Sequence, residues 1–352
     1  MSAKNDYFVQ REKEENYAPS SLTPIAEYPK NALVELSNKC NHVCVFCKNS
    51  DQDRGFVDLH LDTYEKFIEQ AVALGLKEVG LYSTGEPFIT KNLVAYIATA
   101  KNLGVERVYL TTNGVLATLP RVKQAAAAGL DSIKFSINAS NRSDYQLVHG
   151  FDDFEKVLKN VKEIWEWKNT DRIPLQMLGG CVRIASLPES TFEEHEAIFS
   201  QYFEHIMYAD AVSQCGQAFN LSVDSELKQL VFHDFGVRSD DLKFCSNPWN
   251  KYYVTAEGYL TACCIDYELD LAYADLNTVT LREAWNNKVI MNLREQHLKG
   301  NVSGTICDQC LRNEKRPYHP LALFQKKEKS EPMRDKEKLK LKKRLINIKE
   351  VT

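Results

Sequence analysis

Three cysteines lie close together near the start of the chain, where Cys40, Cys44 and Cys47 form a C-x3-C-x2-C run. Thiolates at this spacing can ligate three irons of a 4Fe–4S cube, which leaves the fourth iron without a protein ligand. An iron with an open position can bind a reactant, so the run indicates an enzyme rather than only an electron carrier. Zinc with His42 as fourth ligand is the alternative, but His42 lies inside a tight loop, and structural zinc sites usually use paired C-x2-C elements.

A second group of cysteines lies in the last third of the chain at wider spacing. Its members are Cys245, Cys263, Cys307 and Cys310. Four thiolates fill every corner of a 4Fe–4S cube, so this group is expected to move electrons or to hold its domain together. An all-cysteine zinc site is the alternative. Cys264 directly follows Cys263, which leaves open which of the two is the ligand.

The segments from Asn31 to about Gly236 alternate between β-like and helical patterns. The predicted strands are Ala32–Leu36, Lys77–Ser83, Arg107–Thr112, Ser132–Ile137, Leu175–Ile184 and Ile206–Val212. The predicted helices are Leu61–Leu74, Asn92–Leu103, Leu119–Ala128, Phe154–Trp167 and Thr191–Tyr202. This alternation predicts an α/β fold with a parallel sheet, here a partial (β/α)6 barrel. Active groups of such barrels gather at the carboxyl ends of the strands.

Polar residues occupy several of these strand ends. The second strand runs into Ser-Thr-Gly-Glu-Pro, in which Gly85 lets the backbone approach a ligand and Glu86 offers a carboxylate to an ammonium group. The fourth strand ends around Ser136 and Asn138, although serine and asparagine are also simply good turn formers.

The cysteine run, with Gly-Glu-Pro after the second strand, resembles the signature of the radical S-adenosylmethionine (SAM) enzymes. The resemblance implies a SAM-binding 4Fe–4S cluster on the three cysteines. It also implies that an aromatic residue before the last cysteine packs near adenine, and that Gly-Glu-Pro and other polar strand ends touch SAM. The residues so assigned are Phe46, Gly85, Glu86, Pro87, Ser136, Asn138 and Arg183. Arg183 is explained equally well as a surface or structural arginine.

The second cysteine group resembles the SPASM domain, a cysteine-rich extension of one branch of radical SAM enzymes. The C-x(9–15)-G-x4-C opening matches at Cys245, Gly258 and Cys263, and residues 281–286 also look like that family. A full SPASM domain holds two auxiliary clusters, but no cysteine follows Cys310, so the resemblance implies one auxiliary 4Fe–4S cluster. The expected domains are an N-terminal extension (1–30), a radical SAM core (31–236), a SPASM-like domain (237–318) and a charged tail (319–352).

The resemblance also implies a reaction. Such enzymes split SAM reductively, and the resulting 5′-deoxyadenosyl radical removes a hydrogen atom from the substrate in a dry pocket. The expected outcome is dehydrogenation or epimerisation. Only about 39 residues precede Cys40, too few for a leader-peptide-binding domain, so a small polar substrate such as a sugar, an aminocyclitol or another natural-product precursor is expected. A peptide-modifying maturase is one alternative, and a non-catalytic iron–sulfur or zinc protein is another.

Further residues are candidates for the chemistry after hydrogen removal. A thiol of Cys215 or Cys264 can return a hydrogen atom to a substrate radical, which an epimerase needs. Buried thiols otherwise behave as small hydrophobic groups, which is the default for Cys181 as well. Weaker candidates, for substrate contact, are His149, Asp266 and Tyr267. The expected reductant is a flavodoxin- or ferredoxin-type electron donor.

The composition is that of an ordinary globular protein. The 352 residues are 44% hydrophobic and 26% charged, and the formal charge of −4 gives no reason to expect nucleic acid or a membrane surface as partner. No stretch is long and apolar enough to span a bilayer, and residues 1–30 contain no apolar signal region. The expected location is therefore the cytoplasm, where cysteines stay reduced and tend to bind metals.

Overall fold

A computed structural model describes residues 21–212, 214, 231, 244–312 and 316–324 of the chain. The strands are β1 (Asn31–Val34), β2 (Glu78–Gly80), β3 (Arg107–Thr112), β4 (Ser132–Ser136), β5 (Gln176–Arg183), β6 (His205–Asp210), β7 (Tyr252–Val254), β8 (Tyr259–Thr261) and β9 (Ala272–Asp275). The helices are α1 (Leu61–Ala73), α2 (Leu93–Asn102), α3 (Leu119–Ala127), α4 (Arg142–His149), α5 (Phe154–Thr170), α6 (Glu189–Phe199), α7 (Asn247–Asn250), α8 (Leu281–Trp285), α9 (Lys288–Leu298) and α10 (Ile306–Arg312). No helix in this described part is long and apolar enough to cross a membrane.

Strands β1 to β6 are parallel, and each pairs with the next in chain order. Side chains alternate along each strand between the two faces of the sheet. In β4, Ile133 and Phe135 join the large apolar core together with helix residues such as Tyr64 and Ile97. The side chain of Lys134 therefore points to the opposite face of the sheet, away from these helices, which we call the inner face. The predicted α/β fold with a parallel sheet and covering helices is confirmed.

The predicted element bounds agree with the structure most closely where strand and turn signals coincide. Strand β3 has the predicted bounds, whereas β2 pairs with its neighbours only over Glu78–Gly80. Helix α4 was not predicted. The side chain of Asn141 accepts a hydrogen bond from the N–H of Asp144 at its start, and Gly150, with φ of 84°, ends it.

The second cysteine-rich module continues the same sheet. Strand β7 pairs in parallel with β1, from Ala32 opposite Tyr252 to Val34 opposite Val254, and β8 and β9 follow antiparallel. The order of the described strands is β6-β5-β4-β3-β2-β1-β7-β8-β9. The predicted boundary between residues 236 and 237 lies outside the described residues.

A buried ion network ties the two modules together at the carboxyl ends of their strands. The carboxylate of Glu35, just after β1, accepts a hydrogen bond from the guanidinium of Arg54 and another, at 2.9 Å, from the N–H of Ala256 in the β7–β8 turn. Nε of Arg54 lies 3.5 Å from the carboxylate of Glu257. The Glu35 and Arg54 side chains are 2% and 1% exposed, so water barely screens their attraction. The network braces the edge of the sheet that carries the cysteine loop.

Candidate active site

The loop after β1 presents the thiols of Cys40, Cys44 and Cys47 at the carboxyl edge of the sheet. The backbone N–H of His42 donates to Cys40 Sγ, and that of Asn49 donates to Cys47 Sγ, both at 3.5 Å. Hydrogen bonds to cysteine sulfur are among the features that tune iron–sulfur clusters, so this donor set fits a cluster held by the loop.

Each of the three sulfurs is also approached by a side chain from a different part of the fold. Nδ2 of Asn113, after β3, lies 3.9 Å from the first sulfur, and Nδ1 of His149, at the end of α4, lies 3.5 Å from the second. The hydroxyl of Tyr267, from the second module, lies 3.4 Å from the third. The cysteine loop is therefore surrounded by hydrogen-bond donors on three sides.

The orientation of the His149 ring follows from its other nitrogen. Nε2 accepts a hydrogen bond from the backbone N–H of Asn138 at 3.2 Å, so in the neutral ring the proton is on Nδ1, which faces Cys44 Sγ. Burial, together with the neighbouring ring of His42, holds the pKa of His149 well below its usual range, which keeps the ring neutral. Stacking on Tyr145, with ring centroids 4.0 Å apart, fixes the plane. His149 is thus positioned to donate to the sulfur.

The geometry disfavours a tetrahedral zinc ion on this loop. Thiolates bound to one zinc lie roughly 3.8 Å apart, since each Zn–S bond is about 2.3 Å. Within the described ranges, the one group of three potential ligands whose atoms lie within 4.8 Å is His42, Cys44 and His149, which leaves out the other two cysteines. Both imidazoles have partners of their own, because Nε2 of His42 lies 3.3 Å from a carboxylate oxygen of Asp153.

The Gly-Glu-Pro segment packs directly against the cysteine loop. The N–H of Glu86 donates to the carbonyl of Lys39 at 2.7 Å, and a Cβ on Gly85 would lie only 2.0 Å from the Ser37 carbonyl oxygen. The glycine is therefore required for close contact between two backbone segments, whereas the sequence suggested close approach to a ligand. Pro87 is buried and begins the 3-10 turn Pro87–Ile89.

The Glu86 carboxylate is buried and holds three donors. They are the N–H of Phe88 at 3.0 Å, the hydroxyl of Thr112 at 2.7 Å and the N–H of Asn113 at 2.8 Å. Burial raises the pKa of the Glu86 carboxyl in spite of these donors. In this arrangement Glu86 ties the end of β3 to the cysteine loop, and its contact with an ammonium group stays a prediction.

The other residues assigned to SAM lie at the same edge of the sheet. Phe46 is half-buried in a small apolar cluster, and Ser136, also half-buried, ends β4 opposite Gly180. The amide oxygen of Asn138 accepts a hydrogen bond from the N–H of Val182 at 2.7 Å. Arg183, at the end of β5, pairs with Asp210 at 2.8 Å and lies farther from the cysteine loop along the sheet. Their contacts with SAM stay predictions.

The inner face of the sheet combines aromatic and polar groups. Tyr109 and Tyr253 are buried there with Leu33, and Tyr82 and Cys264 pack against them. Four nearby residues on the same face are only half-buried. They are Thr111, Lys134, Ser136 and Gly180. Nζ of Lys134 lies 6.0 Å from the ring centroid of Tyr82. The carboxyl half of the inner face is therefore accessible and lined by hydroxyl, ammonium and aromatic groups.

The four widely spaced cysteines come together in the second module. Cys245 precedes α7, Cys263 follows β8, and Cys307 and Cys310 lie one turn apart on α10. Burial, and next the neighbouring thiol of Cys263, raise the pKa of Cys245 to about 12, with a smaller contribution from Cys310. Burial and the other three thiols likewise raise the pKa of Cys307 well above its usual range. Cys245 and Cys307 thus each lie near the other members of the group, which fits the fully ligated cluster expected from the sequence.

The adjacent cysteines Cys263 and Cys264 face different surroundings. Cys263 is buried in the main core with Cys307, and Nδ2 of Asn247 donates to its sulfur at 3.7 Å. Cys264 instead packs against the inner-face tyrosines, and its carbonyl accepts from the Ser83 hydroxyl at 2.7 Å. The structure thus favours Cys263 as the ligand. Cys181 is buried in β5, and Cys215 lies outside the described residues.

The three weak candidates for substrate contact have structural surroundings that the sequence could not indicate. His149 and Tyr267 approach cysteine sulfurs, as described. The carboxylate of Asp266 accepts from the Thr261 hydroxyl at 2.6 Å and from the N–H groups of Asp270 and Leu271 at 2.8 and 2.9 Å. Burial raises the pKa of Asp266 to about 7. These contacts organise the segment that carries Tyr267.

Comparison with known proteins agrees with this geometry. Residues 34–179 match the Radical SAM superfamily, and residues 245–311 match SPASM, an iron–sulfur cluster-binding domain. A probable GTP 3′,8-cyclase of Pyrococcus abyssi is 32% identical over 134 residues, which are 38% of this chain and 42% of that protein. The PqqA peptide cyclase of Gluconobacter oxydans is 25% identical over 290 residues, covering 75% of this chain and 78% of that protein.

Solved structures share the fold at low sequence identity. SuiB of Streptococcus suis, bound to the precursor peptide SuiA, superposes with a TM-score of 0.62 at 14% identity, covering 90% of this chain and 78% of that one. BtrN in complex with AdoMet and 2-DOIA superposes with a TM-score of 0.51 at 16% identity, covering 78% and 89%. The two matched domains imply SAM and 4Fe–4S clusters as cofactors.

Proposed function

Since this chain belongs to the radical SAM superfamily and carries a SPASM domain, we propose that it dehydrogenates or epimerises a small polar substrate. A sugar, an aminocyclitol or another natural-product precursor is the substrate class. When bound, the clusters and SAM supply the 5′-deoxyadenosyl radical that removes a hydrogen atom, and an acceptor for one electron. The chain's own residues bind and orient the substrate and exclude water.

The observation that carries the proposal is the position of Cys264. Its side chain lies on the inner face among Tyr82, Tyr109 and Tyr253, and its chain neighbour Cys263 belongs to the second cysteine group. The aromatic rings exclude water, which protects a radical from side reactions. The ammonium of Lys134 and nearby hydroxyl groups provide hydrogen bonds suited to a hydroxylated or charged small molecule.

Two outcomes differ in what Cys264 does. In epimerisation, its S–H bond breaks and the hydrogen atom forms a new C–H bond on the opposite face of the substrate carbon. The sulfur radical left behind is returned to a thiol by one electron from a flavodoxin- or ferredoxin-type donor and one proton from water. In dehydrogenation, the substrate radical instead gives one electron to the cluster that the second cysteine group would hold and one proton to water, and Cys264 only lines the pocket.

An isotope experiment tests the proposal. The protein is reconstituted anaerobically with iron and sulfide, reduced with dithionite, and incubated with SAM and sugar or aminocyclitol candidates in D2O. The cleavage of SAM is followed as 5′-deoxyadenosine. Epimerisation is expected to place one deuterium on the product carbon, because a thiol exchanges with solvent, whereas dehydrogenation removes two hydrogens and adds none. An iron-loaded protein that forms no 5′-deoxyadenosine with any candidate overturns the proposal.

A variant separates the two outcomes. Cys264→Ala is expected to abolish deuterium incorporation in an epimerase while 5′-deoxyadenosine still forms, because hydrogen removal precedes the thiol step. In a dehydrogenase the same variant is expected to keep its oxidised product. Cys181→Ala, which removes a buried thiol on β5, serves as the matched control and is expected to change neither readout.

Peptide modification is the second candidate, and the relatives favour it. The PqqA peptide cyclase aligns with most of this chain, and SuiB shares the fold in a complex with its precursor peptide. This candidate predicts tight binding of a leader peptide, measurable by calorimetry with the anaerobic enzyme. Submicromolar binding of such a peptide, together with no turnover of sugar-type compounds, would exclude the small-substrate proposal.

A further inference from the structure

Tyr267 connects the second module to the first cysteine loop. Its hydroxyl lies 3.4 Å from Cys47 Sγ, and its side chain is only 3% exposed. A phenol carries its proton at neutral pH and can donate it in a hydrogen bond. A metal-bound cysteine is a thiolate and has no proton to give. The hydrogen bond therefore runs from the tyrosine to the sulfur.

The segment around Tyr267 is held on both sides. Before it, the Asp266 carboxylate accepts from the N–H groups of Asp270 and Leu271, which closes the turn. After it, the Glu268 carboxylate accepts from the N–H of Asp53 at 2.9 Å, only a few residues beyond the cysteine loop. These contacts hold the chain on both sides of Tyr267 without involving Cys47. A fixed donor acts on the sulfur in both oxidation states of a cluster.

A donor to a ligating sulfur has a predictable electrostatic effect. Reduction adds negative charge to the cluster and its sulfurs, so the reduced state gains more from the hydrogen bond than the oxidised state. Hydrogen bonds to sulfur are one of the factors that set cluster potentials. Of the three side-chain contacts described above, that of Cys47 is the shortest, and its donor comes from the other module.

We infer that Tyr267 is a positioning residue through which the second module raises the reduction potential of the cluster held by Cys40, Cys44 and Cys47. The inference rests on the proposed function only in taking that loop as the SAM-binding cluster. Under it, the module that carries the auxiliary thiols also sets how readily the first cluster accepts the electron needed to cleave SAM.

The test is the midpoint potential of the first cluster in Tyr267→Phe. The reconstituted full-length protein is titrated anaerobically and followed by EPR, and the first cluster is recognised as the signal that changes when SAM is added. The variant keeps the ring and loses the donor, so its potential is expected to fall. A tenfold loss in the reduction equilibrium corresponds to about 59 mV for one electron. Iron content and thermal unfolding verify that the variant is folded and loaded.

Tyr252→Phe is the matched control. Tyr252 is also a fully buried tyrosine of the second module, and its hydroxyl has no hydrogen-bond partner among the described residues. Its removal is expected to leave the potential unchanged. If Tyr252→Phe lowers the potential as much as Tyr267→Phe, the effect is a general one of the module and the inference is wrong.

A second substitution predicts the opposite sign and covers the case in which Tyr267→Phe does not load iron. A fluorinated tyrosine at position 267 is a stronger donor, so the potential is expected to rise. Equal potentials for the wild type and the fluorinated protein overturn the inference. An enzyme that cleaves SAM but shows no shift refutes only the role of Tyr267, whereas absence of SAM cleavage refutes the proposed function.

Discussion

Cys263 and Cys264 are neighbours in the chain whose thiols contact each other but whose side chains pack against different clusters. Because Cys263 lies in the core beside the other thiols of its group, Cys263→Ala is expected to remove about four irons from a protein that otherwise holds about eight. Cys264→Ala is expected to keep the full iron content, because its side chain points to the inner face. Iron and sulfide counting on anaerobically reconstituted protein measures both. A loss of iron in Cys264→Ala alone would reverse the assignment.

Gly85 is a position where a single methyl group should disrupt the site. In Gly85→Ala the new Cβ would lie 2.0 Å from the Ser37 carbonyl oxygen, so the backbone must move and the cysteine loop with it. We expect a loss of about 1–3 kcal/mol in stability and a clear drop in iron content of the first cluster. Thermal unfolding and iron analysis measure the two effects.

Gly180→Ala is the matched control for that substitution. Its new Cβ would meet the nearest atom, Cδ of Lys134, at 3.5 Å, which is ordinary contact. Stability and iron content are expected to stay near those of the wild type. Equal losses in both variants would show that the contact between Gly85 and the cysteine loop is not what limits cluster loading.

Only some residues of the site can be predicted from local sequence. The ligands in the cysteine loop are close in sequence, so their spacing alone points to a cluster. The hydrogen-bond donors are not close in sequence to these ligands, because His149 and Tyr267 are separated from their sulfurs by 105 and 220 residues. No local pattern marks such contacts, and the sequence suggested substrate contact for both residues.

Segment 263–271 carries Tyr267, the residue of the second module that contacts the first cysteine loop. The carboxylate of Asp266 stabilises the turn in this segment. Burial raises the pKa of Asp266 in the folded protein to about 7, from 3.8 for an exposed aspartate. Between about pH 4 and 7 the folded protein keeps a proton that the unfolded chain has released. Stability therefore falls as pH rises through this range, by at most about 1.4 kcal/mol per pH unit from this group.

Asp266→Asn removes that titration. The variant is expected to show a flatter dependence of the unfolding temperature on pH between pH 5 and 7 than the wild type, as measured by anaerobic thermal unfolding. Asp58→Asn is the control. The pKa of Asp58 is lowered in the folded protein, so its carboxyl is ionised above pH 5 in the folded and in the unfolded chain alike. An unchanged slope in Asp266→Asn would show that Asp266 is ionised in the folded protein.

Element prediction succeeded where amphipathic pattern and turn residues agree, and failed where the element is short. Strand β3 and helix α3 were predicted to within one residue. Helix α4 has only eight residues, and its burial comes from contacts made after folding, such as stacking between Tyr145 and His149. The sequence also predicted a second module but not that β7 would pair with β1, because that register joins residues 220 positions apart, such as Ala32 and Tyr252.

At the scale of the whole molecule, the buried ion network joins the two modules through ion pairs and hydrogen bonds. Arg54→Met removes the cation from a site where Glu35 and Glu257 remain, and an uncompensated buried charge costs about 3–5 kcal/mol. We expect a lower unfolding temperature and weaker iron loading in both modules. Differential scanning calorimetry of the anaerobic protein measures the first effect.

Lys77→Met is the comparison for Arg54→Met. It breaks an ion pair with Glu106 whose side chains are 51% and 62% exposed, so solvent screens the interaction. Its cost is expected to be about 0–1 kcal/mol. If Arg54→Met is no more destabilising than Lys77→Met, the modules are joined mainly by the continuous sheet.

The hydrogen bond between Tyr267 and Cys47 joins residues that the ribosome makes at very different times. The two residues are 220 positions apart, and a ribosome adds about 5–20 residues per second, so roughly 10–45 s separate their synthesis. During that interval the cysteine loop exists without its last donor and without β7 beside β1. The donor from the second module therefore reaches its sulfur last, after Asn113 and His149, the donors from the first module, have been made.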